Sequence, residues 1–195
     1  MKKDELIAEL RAHGVEERVL KAIEKVPREE FVLPKDKKYA YSNHPLPIHE
    51  GQTISQPLTV ALMTQWLDVR AGDSVLEVGT GSGYQAAVLA ELVGHNGKII
   101  TFEVRKKLYE FARKNLKAYW NIEVAHSNAS KECDGEFDRI IVTASASKMP
   151  EKLLEHLKDN GQAVIPIGDE MWLIRKKNGL HKEMMGYFAF VPLIE

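Results

Sequence analysis

The run from Val75 to Tyr84 reads VLEVGTGSGY and brings a carboxylate, two aliphatic hydroxyls and three glycines close together. Val75 and Val78 suit a buried parallel strand and the residues from Gln85 suit a helix, so the glycines fall on a strand-to-helix turn. Gly79, Gly81 and Gly83 let main chain approach a ligand with no Cβ in the way, and Thr80 and Ser82 lie within the same turn. Free amides at the following helix start favour an acceptor or an anion. The spacing is G-x-G-x-G: where a dinucleotide fingerprint would put its third glycine stands Tyr84, which disfavours a pyrophosphate. Glu77, just ahead of the glycines, points the same way, because its charge would repel pyrophosphate but pair with an ammonium.

S-adenosylmethionine carries such an ammonium, and Glu103 supplies a place for its ribose. Glu103 ends a strand read at Lys98 to Glu103, about 20 positions beyond the last glycine, where dinucleotide-type folds hold ribose hydroxyls with a carboxylate. On these residues alone two plainer readings stay open: a tight strand-to-helix connection at the glycines, and a Glu103 that pairs with Arg105 or Lys107.

A chain of 195 residues, 44% hydrophobic, can bury one sizeable core. The expectation is one domain over 1–195, with N-terminal helices and a substrate loop in 1–56, a cofactor-binding core in 57–168 and C-terminal antiparallel strands in 169–195. A net charge of −1 gives no general attraction to nucleic acid or an anionic membrane surface. No apolar run is long enough to span a bilayer and the N-terminus lacks the apolar core of a signal peptide, so a cytoplasmic location is expected. Cys133 is the only cysteine, which excludes an internal disulfide and a thiolate metal cluster within one chain. The histidines show no H-x-H or H-x-x-x-H spacing, and no metal site is read.

The elements that must position these groups follow from periodicity. Leu6, Ile7 and Leu10, then Val19, Ala22, Ile23 and Val26, mark two amphipathic helices separated by Gly14. From Tyr39 to Ser55 periodicity fails, and Pro45, Pro47 and Gly51 mark an ordered loop covering a site. Helical spacing resumes at Leu58, with Ser55 read as N-cap and Pro57 in the first turn. Strands at Ser74–Val78, Lys98–Glu103, Ile122–Ala125, Phe137–Thr143 and Gln162–Ile167 alternate with helices near Gln85–Val93, Lys106–Tyr119 and Pro150–Leu157. That alternation predicts an α/β fold: a Rossmann-like, doubly wound, mostly parallel sheet with helices on both faces and an N-terminal helical extension. Asn178-Gly179 between Met171–Arg175 and Lys182–Phe188 predicts a two-residue type I′ hairpin and antiparallel C-terminal edge strands.

Gly51 to Pro57, reading GQTISQP, followed by Glu77 to Tyr84, resembles the protein-L-isoaspartate O-methyltransferase family. Further stretches occur in the family's order across nearly the whole chain, among them Val26-Pro27-Arg28, Asp138 to Thr143, Val164 to Gly168 and Phe190 to Leu193. The resemblance implies methyl transfer from S-adenosyl-L-methionine to the carboxylate of L-isoaspartyl residues in damaged proteins and peptides; the ester then closes spontaneously to a succinimide. It implies that Ser55 is the active-site serine, holding that carboxylate. Thr53, on the cofactor side, and Gln56, on the substrate side, are expected to help, with the main chain at Val191 as a sequence-tolerant platform for the substrate peptide. No nucleic acid or membrane is expected as partner, and a monomer is the expected state.

Two stretches depart from the family pattern. Ser127-Asn128-Ala129 stands where Gly-Asp-Gly is usual, leaving Asn128 as the adenine ligand with a neutral oxygen. Ser145 and Ser147 replace an alanine run and are read as adding polarity near the reaction centre. Other readings are a related S-adenosylmethionine-dependent enzyme acting on RNA or a small molecule, which leaves Gly51 to Pro57 unexplained, and a cofactor-binding protein with decayed catalysis. Trp66, Trp120 and Trp172 are read as packing residues.

Overall fold

The computed structural model describes Met1 to Ile194. Helices α1 (Lys3–Ala12) and α2 (Glu17–Lys25) bury the stripes that their spacing implies. The aperiodic stretch then folds into a small flap, in which β1 (Leu46–Pro47) pairs antiparallel with β2 (Thr53–Ile54) across a 3-10 turn at His49–Gly51. Helix α3 (Pro57–Leu67) follows directly, and its N-cap is Gln56 rather than Ser55. Pro57 sets that boundary, since its ring excludes helical backbone at the residue before it while suiting the first helical position.

Strand and helix then alternate through β3 (Ser74–Val78), α4 (Tyr84–Val93), β4 (Lys98–Phe102), α5 (Lys106–Asn115), β5 (Ile122–Ala125), α6 (Ala129–Glu132), β6 (Phe137–Val142), α7 (Glu151–Glu155) and β7 (Leu157–Ile167). Strands β3 to β7 are parallel, and β8 (Glu170–Lys176) and β9 (Leu180–Tyr187) add antiparallel at one edge, giving the order β5-β4-β3-β6-β7-β8-β9. This is the expected α/β, Rossmann-like architecture. The order reverses between β3 and β6, where a crevice must open beyond the carboxyl ends of the strands.

Alternation along the strands divides the core in two. Val75, Ile99, Ile141 and Val164 face the packed side, built from α1 to α5. Leu76, Ile140, Val142 and Ile165 face the other, where only Ala129 of α6 and Leu153 and Leu154 of α7 join them from the helices. The second face is thus covered by helices of four and five residues, a thinner layer than the sequence reading implied.

Boundaries shift where polar residues or turns compete with the pattern. Helix α5 ends at Asn115, not Tyr119. Strand β7 begins at Leu157 rather than Gln162: Leu157 pairs with Phe137 before Gln162 pairs with Arg139, so four polar or glycine residues bulge opposite Asp138, with Asn160 at φ 63°. The β8–β9 turn has left-handed φ at Asn178 (53°) and positive φ at Gly179 (117°). Lys176 nevertheless pairs with Leu180, which makes it a three-residue connection and not a two-residue type I′ turn.

Candidate active site

Three adjoining hollows open along the carboxyl ends of β3, β4 and β6, and Thr53 and Thr143 border all of them. The first, about 680 Å³, runs past Gly79, Gly81, Glu103, Asn128 and Val191. The second, about 390 Å³, lies against Glu77, Gly79, Thr80, Gly81, Ser82 and Ser55. The third, about 1130 Å³, runs past Ser55, Gln56, Phe190 and Val191. Of the cofactor- and substrate-binding residues named from sequence, only Gly83 touches none of the three.

The glycines divide their work differently from the expectation that all three clear space for a ligand. All have positive φ, at 100°, 56° and 88° for Gly79, Gly81 and Gly83. A Cβ on Gly79 would sit 2.6 Å from Thr143 Oγ1, and one on Gly83 would sit 2.8 Å from the Leu116 side chain. Those two are required by the protein's own packing. At Gly81 the nearest neighbour would be Ile48 of the flap at 3.8 Å, so this is the glycine that leaves room.

Glu77 is 0% exposed on the helix-rich face of the sheet. One carboxylate oxygen accepts a 2.5 Å hydrogen bond from Thr101 Oγ1, which itself lies 2.7 Å from Thr80 Oγ1. The other, Oε1, is buried without a partner. Burial pushes the Glu77 carboxyl up to about 8, against the opposing hydrogen bond from Thr101, with the charge of Glu103 adding to the rise. A buried acceptor with a free oxygen is what an ammonium group would satisfy, and the residues here fit one.

Glu103 sits immediately beyond β4 and accepts main-chain N–H groups from Gly81 and Arg105, each at 2.9 Å. The Arg105 contact is through its amide, not the ion pair that sequence left open. Two amides fix the carboxylate's orientation and leave further lone pairs free to accept from hydroxyls. Asn128 is also partly committed: its Oδ1 accepts from Ser130 N at 2.9 Å and caps α6, while its Nδ2 reaches the Ile194 carbonyl at 3.5 Å. The C-terminal segment thereby closes one wall of the first hollow.

Ser55 is placed by the flap and by Arg28, whose Nη2 donates to the Ser55 carbonyl at 2.7 Å. Its side chain borders both the second and third hollows. Val191 has its carbonyl taken by Ser145 N at 2.8 Å, and its own N–H has no acceptor among the described residues. Ser145 therefore does not polarise the cleft. Its hydroxyl donates to the Gly168 carbonyl at 2.6 Å and its main chain pins the Val191–Leu193 segment, while Ser147 is exposed and borders none of the three hollows.

Sequence reasoning missed Thr143, Thr101 and Arg28. Thr143 was detectable as the residue ending the strand at the switch point; its hydroxyl donates to the Gly79 carbonyl at 2.5 Å and ties β6 to the glycine turn. The tryptophans were read too uniformly. Trp66 packs edge-on against Phe188, but Trp120 is 67% exposed, stacked on His95 beside a groove of about 1370 Å³ that contains none of the site residues.

A crevice at this switch point of a mostly parallel sheet, with a partnerless buried carboxylate oxygen at one end and an amide-held carboxylate at the other, is the arrangement expected of the S-adenosylmethionine-dependent class of Rossmann-like methyltransferases. Comparison with known proteins narrows the class. The family description "Protein-L-isoaspartate(D-aspartate) O-methyltransferase" matches residues 1–195. A protein-L-isoaspartate O-methyltransferase of Methanopyrus kandleri is 45% identical, covering 98% of this chain and 91% of its own length. A second, from Archaeoglobus fulgidus, is 46% identical over 98% of this chain and 92% of its own length. Among solved structures, a Plasmodium falciparum protein described as a putative protein-L-isoaspartate O-methyltransferase in complex with S-adenosyl-L-homocysteine superposes with a TM-score of 0.90. It shares 29% identity over 100% of this chain and 99% of that one. The chain belongs to the protein-L-isoaspartate(D-aspartate) O-methyltransferase family.

Proposed function

We propose that this enzyme repairs damaged proteins by methylating the carboxylate of L-isoaspartyl residues, with Ser55 holding the acceptor and Glu77, Glu103 and Asn128 holding S-adenosylmethionine. The observation that carries this reading is the position of Ser55 on the boundary between the second hollow, lined by Glu77 and the glycine turn, and the third, lined by Gln56, Phe190 and Val191. An acceptor held there lies beside whatever occupies the cofactor cleft. Bound S-adenosylmethionine would supply a methyl carbon already activated by its sulfonium.

The protein's own contribution is orientation. A carboxylate is ionised near neutral pH, so no strong general base is required, and alignment with exclusion of water can supply much of the acceleration. The Ser55 hydroxyl makes no hydrogen bond within the described residues, which frees it to donate to the acceptor carboxylate and aim one oxygen inward. Gln56, on the same rim, is the second donor for the acceptor. Thr53 borders all three hollows and separates the acceptor from the cofactor. Glu77 Oε1 takes the ammonium, Glu103 the ribose hydroxyls, and Asn128 Oδ1 the adenine amino group through its remaining lone pair. The glycine turn, Gly79 to Gly83 with Thr80 and Ser82, gives these groups their spacing. The free Val191 N–H offers the substrate peptide a main-chain donor that ignores side-chain sequence, which suits an enzyme acting on many damaged sites.

Residues 1–56, 57–168 and 169–195 all reach this one cleft, in keeping with a single functional unit. A monomeric form is also part of this proposal. No helix among the described residues is long and apolar enough to cross a membrane. A cytoplasmic site of action and the absence of a nucleic-acid partner remain part of this proposal, the latter supported by the net charge of −1. The deciding experiment offers labelled S-adenosylmethionine with an isoaspartyl peptide, its aspartyl twin and bulk tRNA. Transfer to the first alone is expected; transfer to tRNA or to both peptides equally would overturn the reading.

A further inference from the structure

Arg28 is 0% exposed and has no carboxylate partner among the described residues. A buried cation without a counter-charge costs several kcal/mol, so stability alone does not favour a guanidinium here. Its contacts show what it does instead. Nε donates to the Ala40 carbonyl at 2.9 Å and Nη2 to the Ser55 carbonyl at 2.7 Å. The guanidinium carbon lies 4.8 Å from the centre of the Tyr84 ring, and Phe31 meets that ring edge-on at 5.5 Å. Tyr84 is the first residue of α4, directly after the glycine turn.

One rigid planar group therefore touches the serine segment and the helix that the cofactor turn feeds. Ser55 needs such a tether: it lies one residue beyond the two-residue strand β2 and one before the cap of α3, outside both hydrogen-bonded elements. We infer that Arg28 is a positioning residue for methyl transfer, fixing the main chain of Ser55 against the first turn of α4 so that the serine hydroxyl meets the acceptor in register with the cofactor. Arg28 borders none of the three hollows, so it acts only through Ser55 and Tyr84. Burial lowers its pKa to about 10, which leaves it charged at neutral pH. Lysine would keep the charge but not the planar fork or the stacked face.

The inference rests on Ser55 being the residue that holds the acceptor, and a double-mutant cycle separates the two claims. Ser55→Ala, Arg28→Lys and the double variant are compared by kcat and KM on an isoaspartyl peptide, by affinity for S-adenosylhomocysteine, and by folded fraction at the assay temperature. Arg28→Lys is expected to lower kcat per folded molecule at least 10-fold with cofactor affinity within about threefold of the parent, and the double variant to lose no more than Ser55→Ala alone. Normal kcat per folded molecule in Arg28→Lys, or multiplicative losses in the double variant, overturns the role of Arg28. An unchanged Ser55→Ala instead overturns the reading of Ser55. Should Arg28→Lys not fold, Tyr84→Leu, which removes the ring beneath the guanidinium, decides in its place: it is expected to lower kcat more than Tyr84→Phe does, and equal kcat in the two overturns the inference.

Discussion

Glu77 makes cofactor affinity depend on pH in a direction that the geometry fixes. Burial, with the charge of Glu103 adding to it, pushes its carboxyl up to about 8 in the free enzyme, and Oε1 is left without a partner. At pH 6 it is almost wholly protonated, and an ammonium that pairs with the ionised form must first displace that proton. Well below 8 each pH unit costs about 1.4 kcal/mol, or tenfold in affinity; with about 1% of Glu77 ionised at pH 6 and half at pH 8, affinity for S-adenosylhomocysteine is expected to rise roughly 50-fold across that range. At higher pH the ligand's own amine loses its proton and affinity falls again. Titration calorimetry in two buffers of different ionisation enthalpy reads the proton directly, and nearly one should be released on binding at pH 6.5. Glu77→Gln is expected to bind weakly and to lose the slope between pH 6 and 8.

The same group has an opposite effect on the free protein. Its folded pKa is raised from 4.5 to about 8, so its contribution to stability is fully present below pH 4.5 and is lost as pH rises to 8, by at most about 5 kcal/mol. Glu77→Gln should therefore flatten the fall in stability across that window while abolishing tight binding. A pH-independent affinity in the parent, no proton release, or an unchanged slope in Glu77→Gln would refute the pairing of Glu77 with the ammonium.

Three further outcomes are expected. Ser55→Ala removes a donor to a charged acceptor and should cost roughly 10- to 100-fold in kcat with less than about a twofold change in cofactor affinity; equal losses in both would contradict a positioning role. Asn128→Asp keeps the α6 cap and adds a charge-assisted component, tightening cofactor binding by roughly 5- to 10-fold in calorimetry. That gain should vanish with a cofactor analogue lacking the adenine amino group. Gly79→Ala places a Cβ 2.6 Å from Thr143 Oγ1 at φ 100° and should lower stability by about 1–3 kcal/mol in denaturant titration. Part of that loss should return with Thr143→Ala, and no recovery would show that the clash is not the cause.

The sequence by itself determined whatever is local or set by strand spacing. The glycine turn with Glu77 ahead of it, the segment from Gly51 to Pro57, and Glu103 at the end of the next strand were legible because a strand-turn-helix unit places its own ligand groups within a few residues. The parallel sheet followed from alternation alone. Polar residues bulged within a strand defeated the same reasoning: Lys158 to Gly161 read as a loop, yet Leu157 ahead of them already pairs with Phe137, so they belong to β7 as its unpaired bulge. Only the tertiary structure decided which glycines serve packing, because Thr143 lies 64 positions from Gly79 and Leu116 lies 33 from Gly83. It alone left one oxygen of Glu77 without a partner, committed Ser145 to the Gly168 carbonyl and set Arg28 beneath Ser55. Those are contacts between distant segments, and residue type sets which partners a group can take, while chain topology sets which of them it meets.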